Sequence, residues 1–164
     1  MSVTVRLATP SDATAAADLL QDSIREVCGP DYCNDHGLLD AWCANKTPET
    51  LRSWIVAPDL YTLVAEREDG PVGVGQLAVD RGEITLCYVL PAALGQGVGA
   101  ALLRALEAEA SCRGLYDLTL TSTATAHEFY RKHGYNDAGT GQPFGLGRMF
   151  PMAKQVGMRT GADT

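Results

Sequence analysis

Two different spacings of apolar residues divide the first part of the chain. Residues 3–8, VTVRLA, alternate apolar and polar positions, which is typical of a strand with one buried face. From Thr9 onward the spacing becomes helical, with Thr9 as the N-cap and Pro10 at the first helical position. The dipeptide Gly-Pro at 29–30 ends this pattern after about Cys28. We therefore expect a strand followed by one long helix.

Residues 31–57 carry a weaker helical pattern, and the sequence does not define their boundaries. The stretch TPET at 47–50 is a second Thr-Pro helix start. Apolar residues recur at helical spacing on both sides of it, at Leu38, Leu39, Trp42, Cys43, Leu51, Trp54 and Ile55. This pattern predicts further helix before the next strands.

From residue 60 the spacing is that of strands. Three predicted strands, at 60–67, 72–80 and 83–90, are separated by the turn sequences EDGP and RG. A helix at 97–113, a strand at 115–122, a short helix at 123–134 and a strand at 145–154 follow. The order β-α-α-β-β-β-α-β-α-β predicts an α/β fold in which a mixed sheet carries helices on both faces. We expect one domain over residues 1–155 and a frayed tail over 156–164.

The predicted helix at 97–113 is amphipathic. Leu102, Leu106 and Ala110 share one face, which we expect to be buried. Glu107 falls on the opposite face, which we expect to be in water. This helix is therefore expected to cover one side of the sheet.

Composition excludes several classes of protein. The chain has 164 residues, of which 46% are hydrophobic and 20% charged, as in an ordinary globular domain. Its net charge of −7 disfavours nucleic acid as a partner and would attract a cationic substrate. No apolar run is long enough to span a membrane, and the N-terminus lacks the apolar core of a signal peptide. Five cysteines, an odd number, suggest reduced thiols and a cytoplasmic location.

A glycine-rich stretch at 90–103, LPAALGQGVGAALL, precedes the predicted helix. Glycines at such a junction let main-chain N–H groups approach a ligand closely. The spacing Gly95-x-Gly97-x-x-Ala100 fits a relaxed dinucleotide loop, whereas Gly95, Gly97 and Gly99 followed by Ala100 fit a coenzyme A diphosphate loop. A glycine-rich helix start that binds no ligand is the third interpretation.

The position of these glycines disfavours the dinucleotide interpretation. A dinucleotide loop directly follows the first strand of its βαβ unit, but here residues 91–94 intervene after about the fourth strand. Asp117, the acid nearest the expected distance, lies at the start of its strand, where it could not reach a ribose. No Gly-Lys-Ser/Thr follows the glycines, which excludes a P-loop. The coenzyme A interpretation therefore fits best.

Two segments together resemble the GNAT-type N-acetyltransferase superfamily. They are EITLCYVLPAALGQGVGAALLRALEAEASCRG and, further on, TATAHEFYRKHGY, and the resemblance is strongest over residues 60–135. It implies the GNAT fold, in which helices flank a mixed and mostly antiparallel central sheet. It also implies acetyl-CoA as cosubstrate and direct acetyl transfer to a primary amine on a small molecule or peptide, in a ternary complex. Members of the superfamily often dimerise, so the resemblance is compatible with a homodimer.

The resemblance also implies roles for particular residues. Glu83 matches a glutamate that acts as general base, and Tyr130 matches a tyrosine that protonates the coenzyme A sulfur. Thr123 stands where many relatives have an asparagine that binds pantetheine, and Leu94 stands where the loop usually has Gln or Arg. The implied cofactor-binding residues are Cys87, Tyr88, Val89, Leu94, Gly95, Gln96, Gly97, Val98, Gly99, Ala100, Thr123 and Tyr130.

Each assignment has a plainer alternative. Tyr130 shares a helical face with other apolar residues and could be a core aromatic, and Glu83 could be an exposed carboxylate after a turn. Cys87 has no nearby histidine to activate it as a nucleophile. Asp31 and Tyr32 could line an acceptor pocket.

Two further alternatives concern the whole protein. The spacing of Cys28, Cys33, His36 and Cys43 matches no common zinc pattern, so we expect no metal. A domain that binds coenzyme A without catalysis, as a sensor or scaffold, is the rival to an enzyme.

Overall fold

The computed structural model describes residues 2–32, 35–144 and 147–157. One eight-stranded sheet runs through it in the order β1-β2-β3-β4-β5-β8-β6, with β7 paired to β8. The strands are β1 (Thr4–Leu7), β2 (Leu60–Arg67), β3 (Gly70–Ala78), β4 (Glu83–Val89), β5 (Asp117–Thr123), β6 (Asn136–Asp137), β7 (Gln142–Phe144) and β8 (Gly147–Gln155). Among the described strands, β4 and β5 are the one pair that runs parallel, so the predicted mixed α/β sheet is confirmed and is mostly antiparallel.

Six α-helices are described: α1 (Ala13–Val27), α2 (Gly29–Tyr32), α3 (His36–Cys43), α4 (Pro48–Val56), α5 (Val98–Cys112) and α6 (His127–Lys132). The second Thr-Pro start is confirmed, because the Thr47 hydroxyl accepts a hydrogen bond from the Thr50 amide at 3.2 Å and caps α4. At the first Thr-Pro start a 3-10 turn at Pro10–Asp12 precedes α1.

The helices cover both faces of the sheet. Helix α5 packs on β3 and β4 from one side, and α1 and α4 pack on the sheet from the other. Gly73 on β3 allows the close approach of α5, because a Cβ there would lie 2.9 Å from the Leu102 side chain. Leu102, Leu106 and Ala110 are fully buried, as their spacing predicts.

The pairing of β4 with β5 is short and determines where the site lies. Glu83 pairs with Thr119 and Ile84 with Leu120, and the two strands separate after this second pair. Residues of β4 beyond Ile84 still pair with β3 on their other side. Because alternate residues of a strand direct their N–H and C=O groups to opposite sides, half of these groups face the gap.

Several features differ from the sequence-based expectation. Helix α2 and the short strands β6 and β7 have no clear periodic pattern and were not predicted. The Glu107 side chain is not in water but is largely covered, since it binds Lys154 at 3.1 Å and the Tyr135 hydroxyl at 2.9 Å. The predicted tail falls mostly on 158–164, outside the described residues. Among the described helices, none has the length and apolar character needed to cross a membrane.

Candidate active site

A cavity of about 350 Å³ lies where β4 and β5 separate. Four parts of the fold form its walls: the end of α1, the second half of β4, the glycine loop before α5, and the segment from β5 into α6. The lining residues are Ser23, Val27, Cys28, Cys87, Tyr88, Val89, Ala93, Leu94, Gly95, Gly97, Gly99, Ala100, Thr123, Thr125, Ala126, Phe129, Tyr130 and His133. Most of these side chains are apolar, as is typical of a ligand-binding pocket.

The glycine loop forms one end of this cavity. Gly95 and Gly97 adopt φ of +73° and +85°, the left-handed region that glycine enters without strain. A Cβ on either residue would meet no atom within 4 Å, so the space beside this main chain is open. The N-terminus of α5 follows directly and carries a partial positive charge. The loop therefore offers main-chain donors and a helix dipole to an anion.

Arg67, at the end of β2, contacts the glycine loop. Nη2 of Arg67 donates a hydrogen bond to Oε1 of Gln96 at 2.6 Å, and Gln96 Nε2 donates to the Ala92 carbonyl at 3.1 Å. Nε of Arg67 is buried and has no hydrogen-bond partner among the described residues. A guanidinium thus stands beside the loop, in which position 94 is an apolar leucine.

Tyr130 and Cys87 lie close to each other in the wall of the cavity. Tyr130 is 7% exposed and lies close enough to Cys87 for the two side chains to influence each other's pKa, while the Cys87 thiol donates a hydrogen bond to the Gly99 carbonyl at 4.0 Å. Burial raises the pKa of Tyr130 well above its ordinary value, so the hydroxyl keeps its proton at neutral pH. Burial also raises the pKa of the Cys87 thiol to about 12, which leaves it un-ionised and a poor nucleophile.

A second, smaller cavity of about 50 Å³ continues the gap between the strands. It shares Cys87, Tyr88, Thr123, Ala126 and Tyr130 with the larger one. The two cavities therefore adjoin along these five residues, between the opened edges of β4 and β5.

Glu83 is not brought to either cavity. Its carboxylate accepts a hydrogen bond from Arg81 Nε at 2.6 Å, and its side chain is 31% exposed. It lies at the start of β4, where β4 is still paired with β5. Along a strand, the four residues from Glu83 to Cys87 span roughly 13 Å.

Most of the other residues implied by the resemblance line the large cavity. Gln96 and Val98 are the exceptions: Gln96 binds Arg67, and Val98 is 1% exposed in the core. Thr123 is largely buried, and its hydroxyl accepts a hydrogen bond from the Ala126 amide at 3.2 Å. Ser23 and Val27 of α1 also line the cavity, and the sequence did not predict them as site residues. No local pattern indicates that the end of this helix contacts a loop far away in the sequence.

Of the four residues considered as metal ligands, Cys28, His36 and Cys43 are among the described residues. Cys33 lies outside the described residues, and burial, together with nearby Asp31, raises the pKa of the Cys28 thiol to about 12. Within the described ranges, no three His, Cys, Asp or Glu side chains are arranged to hold a metal ion. The described cysteines, Cys28, Cys43, Cys87 and Cys112, are free thiols.

The chain matches the acetyltransferase (GNAT) domain family over residues 28–156. It belongs to this family. The matched range contains the opened strands, the glycine loop and Tyr130, so the family assignment and the geometry concern the same part of the molecule. The GNAT fold that the sequence predicted is thereby confirmed, and acetyl-CoA is the acyl donor that the family uses.

Individual relatives of this GNAT protein agree with the assignment. An "IAA acetyltransferase" of Azospirillum brasilense is 38% identical over 98 residues, which cover 56% of this chain and 64% of that relative. The chain thus spans less than two thirds of that relative's length. A GCN5-related N-acetyltransferase structure from Rhodopseudomonas palustris, described as "Aminotransferase, Class-II", is 28% identical, with a TM-score of 0.83 over 95% of this chain and 97% of that one.

One neighbour was solved with coenzyme A. It is the PaiA N-acetyltransferase of Thermoplasma acidophilum, 21% identical, with a TM-score of 0.76 over 94% of this chain and 99% of that one. At this identity the likeness shows a shared fold alone.

Proposed function

We propose that this protein is an N-acetyltransferase that transfers the acetyl group of acetyl-CoA directly to a primary amine. One observation carries the proposal: the gap between β4 and β5 opens into a cavity that is lined by the glycine loop before α5 and by Tyr130. We also take residues 1–155 to be a single acyltransferase domain, because one sheet includes strands from both ends of the chain.

The residues of the larger cavity fit acetyl-CoA. Gly95 and Gly97 leave open space and main-chain N–H groups for a diphosphate, and α5 adds its positive end. The apolar walls at Val89, Ala93 and Phe129 suit a pantetheine chain. The freed edge of β4 at Cys87–Val89 can pair with amide groups of that chain and offer an N–H to the carbonyl oxygen of the acetyl group. When bound, acetyl-CoA supplies a thioester, which is an activated acyl donor.

Tyr130 is the proposed general acid. A departing thiolate needs a proton, and a hydroxyl with a raised pKa holds that proton until the thiolate forms. Tyr130 lines both cavities, and its ring packs edge-on against Phe129 and Tyr135, which hold the side chain in place. Because the Cys87 thiol is un-ionised, direct transfer fits the site better than a covalent intermediate on Cys87.

We propose water as the acceptor of the amine proton. A general base must lie within hydrogen-bond reach of the amine, directly or through one water molecule. Glu83, which the resemblance implies for this role, is paired with Arg81 outside both cavities. The smaller cavity adjoins Tyr130, and a water molecule there would be better placed than Glu83 to receive the proton.

The experiment is an acetylation assay with a panel of amines, such as n-butylamine, agmatine, spermidine and a peptide with a free N-terminus. Released coenzyme A should be measured by chromatography, since the exposed thiol of Cys112 would react with a thiol reagent. Acetylated product that appears with at least one amine supports the proposal. Calorimetric binding of coenzyme A without product from any amine would favour a domain that binds coenzyme A without catalysis.

A further inference from the structure

Asp31 is a buried carboxylate in helix α2, next to the proposed active site. The residue is 1% exposed. Its Oδ1 accepts a hydrogen bond from the main-chain amide of Thr125 at 2.9 Å, across 94 positions of sequence. Thr125 lies between β5 and α6, so this bond connects the end of the first helical segment to the turn before Tyr130.

The second oxygen of Asp31 is unsatisfied. Oδ2 is buried and has no hydrogen-bond partner among the described residues, and none of the ion pairs found there includes Asp31. A buried carboxylate that lacks a partner for one oxygen costs free energy and requires an explanation. A ligand that carries positive charge would remove that cost.

The groups around Asp31 belong to the wall of the cavity. Thr125 donates its amide to Asp31, and the Cys28 thiol and Tyr88 both lie close enough for the carboxylate to raise their pKa. All three residues line the larger cavity, and Asp31 lies directly behind them, so a ligand would reach Oδ2 from the cavity by passing between these residues. None of them carries a positive charge, and burial together with Asp31 raises the pKa of Cys28 to about 12, so the thiol stays neutral.

We propose that Asp31 is the anionic binding site for the positively charged group of the amine acceptor. The substrate class is then a primary amine that enters as a cation and pairs with Oδ2, while Oδ1 stays bound to Thr125. This inference rests on the proposed function, since it names the acceptor of the same site. The alternative is that Asp31 only supports the turn at Thr125.

The first test needs no turnover. In the full chain with bound coenzyme A, the NMR signal of the Thr125 amide reports directly on Asp31, because that amide donates to Oδ1. Titration with n-butylammonium chloride, agmatine or spermidine should shift this signal saturably. Titration with 1-butanol, or with potassium chloride at equal ionic strength, should not. A Thr125 signal that responds to none of the three amines overturns the proposal.

The second test uses Asp31→Asn, which keeps an oxygen for the Thr125 amide and removes the charge. Asp40→Asn is the matched control, since Asp40 is an exposed carboxylate on α3 and its loss changes the net charge equally. We expect the KM for the best amine of the panel to rise at least about tenfold in Asp31→Asn, the size of one charge-assisted hydrogen bond. The Kd for coenzyme A should not change, and Asp40→Asn should behave as the unmodified protein.

The outcomes separate this inference from the proposed function. Equal KM values in both variants, with normal turnover, would overturn the role of Asp31 and leave the acetyltransferase intact. If no amine is acetylated, the proposed function fails, and the Thr125 titration alone decides whether Asp31 binds an ammonium group.

Discussion

Nε of Arg81 donates a hydrogen bond to Oε1 of Glu83 at 2.6 Å, at the exposed start of β4. The two side chains are 55% and 31% exposed, and they lie at the end of the strand where β4 and β5 are still paired. A carboxylate in this position is solvated and held by a neighbouring cation, while the cavity opens only further along the strand. The ion pair with Arg81 therefore holds Glu83 outside the cavity, although the resemblance implies that Glu83 is the general base.

Glu83→Gln tests this separation. We expect the variant to keep kcat/KM within about twofold and to keep the rise of kcat/KM with pH, because a group out of reach contributes no proton transfer. The measurement is a pH–rate profile with the best amine of the panel. Loss of the alkaline rise in Glu83→Gln would make Glu83 the base and would mean that its carboxylate moves into the cavity during the reaction.

Tyr130→Phe should lower kcat by roughly 100-fold, the low end of what general acid–base catalysis contributes. Its KM for acetyl-CoA should change little, because the ring still fills its place against Phe129 and Tyr135. Tyr135→Phe is the matched control: it removes a hydroxyl that donates to Glu107 at 2.9 Å, on a residue that does not line the cavity. We expect this control to lose some stability and keep its kcat. Equal kcat values for the two variants would contradict the acid role of Tyr130.

The pKa of Tyr130 makes a separate prediction for the unmodified protein. An acid catalyst works in its protonated form, and burial raises the pKa of Tyr130 well above its ordinary value. The proton is therefore retained throughout the neutral and mildly alkaline range, and kcat should not fall as pH rises to about 10. A fall in kcat near pH 8, measured in a range where the protein stays folded, would contradict this assignment.

Gly97→Ala should weaken coenzyme A binding at least about tenfold, or about 1.4 kcal/mol. The added methyl group would stand in the open space beside the loop, and a left-handed φ would strain alanine by about 1 kcal/mol. Gly114→Ala is the matched control, since Gly114 has φ +76° with equally open space but follows the far end of α5. Calorimetry and urea unfolding should show similar stability losses and a loss of affinity only in Gly97→Ala. Equal affinities for coenzyme A would contradict the role of the loop.

Arg67→Ala should weaken coenzyme A binding roughly threefold to tenfold, the effect expected of one partly screened charge near a phosphate. The guanidinium stands beside the loop through its 2.6 Å bond to Gln96, and this loss should diminish at high salt. Arg52→Ala, on the exposed face of α4, removes the same charge at a distance and should have no effect. Pantetheine, which lacks phosphate, should bind all three proteins equally. A matching loss for pantetheine would show that Arg67 acts on the shape of the loop instead.

The sequence predicts those parts of the molecule in which local patterning decides the structure. The Thr47 cap and the buried Leu102 face of α5 follow from spacing alone, because each depends on residues within a few positions. The bond between Asp31 and Thr125 and the bond between Arg67 and Gln96 join residues 94 and 29 positions apart, and no local pattern marks either.

For Glu107, the local pattern gives a wrong prediction of exposure. Its helical position predicts an exposed side chain, but Lys154 from β8 and Tyr135 cover it. The glycine loop and Tyr130 were identified through resemblance to a family, and only the fold shows that both face one cavity. Glu83 lies outside that cavity because β4 and β5 are still paired at its position. The spacing of apolar residues in the sequence does not indicate where two paired strands separate.

Asp12→Asn should destabilise the fold in a pH-dependent manner. Both oxygens of Asp12 accept hydrogen bonds from the Arg6 guanidinium at 2.9 Å, and Oδ2 also accepts one from the Thr9 amide at 2.7 Å. Chiefly through Arg6, the pKa of Asp12 falls from 3.8 to about 2. A depressed pKa means that the folded state favours the ionised form, so its contribution is complete above about pH 4 and is lost as pH falls towards 2.

The expected loss in Asp12→Asn is at most about 2 kcal/mol of unfolding free energy at pH 7, from a shift of about two pKa units reduced by solvent screening. Urea unfolding of both proteins at pH 7, 4 and 3 measures the difference, which should shrink as the pH falls. Asp18→Asn, an exposed position on α1, is the control and should be nearly neutral at each pH. A difference between Asp12→Asn and the unmodified protein that stays constant from pH 7 to pH 3 would show that packing, and not the charge held by Arg6, accounts for the effect.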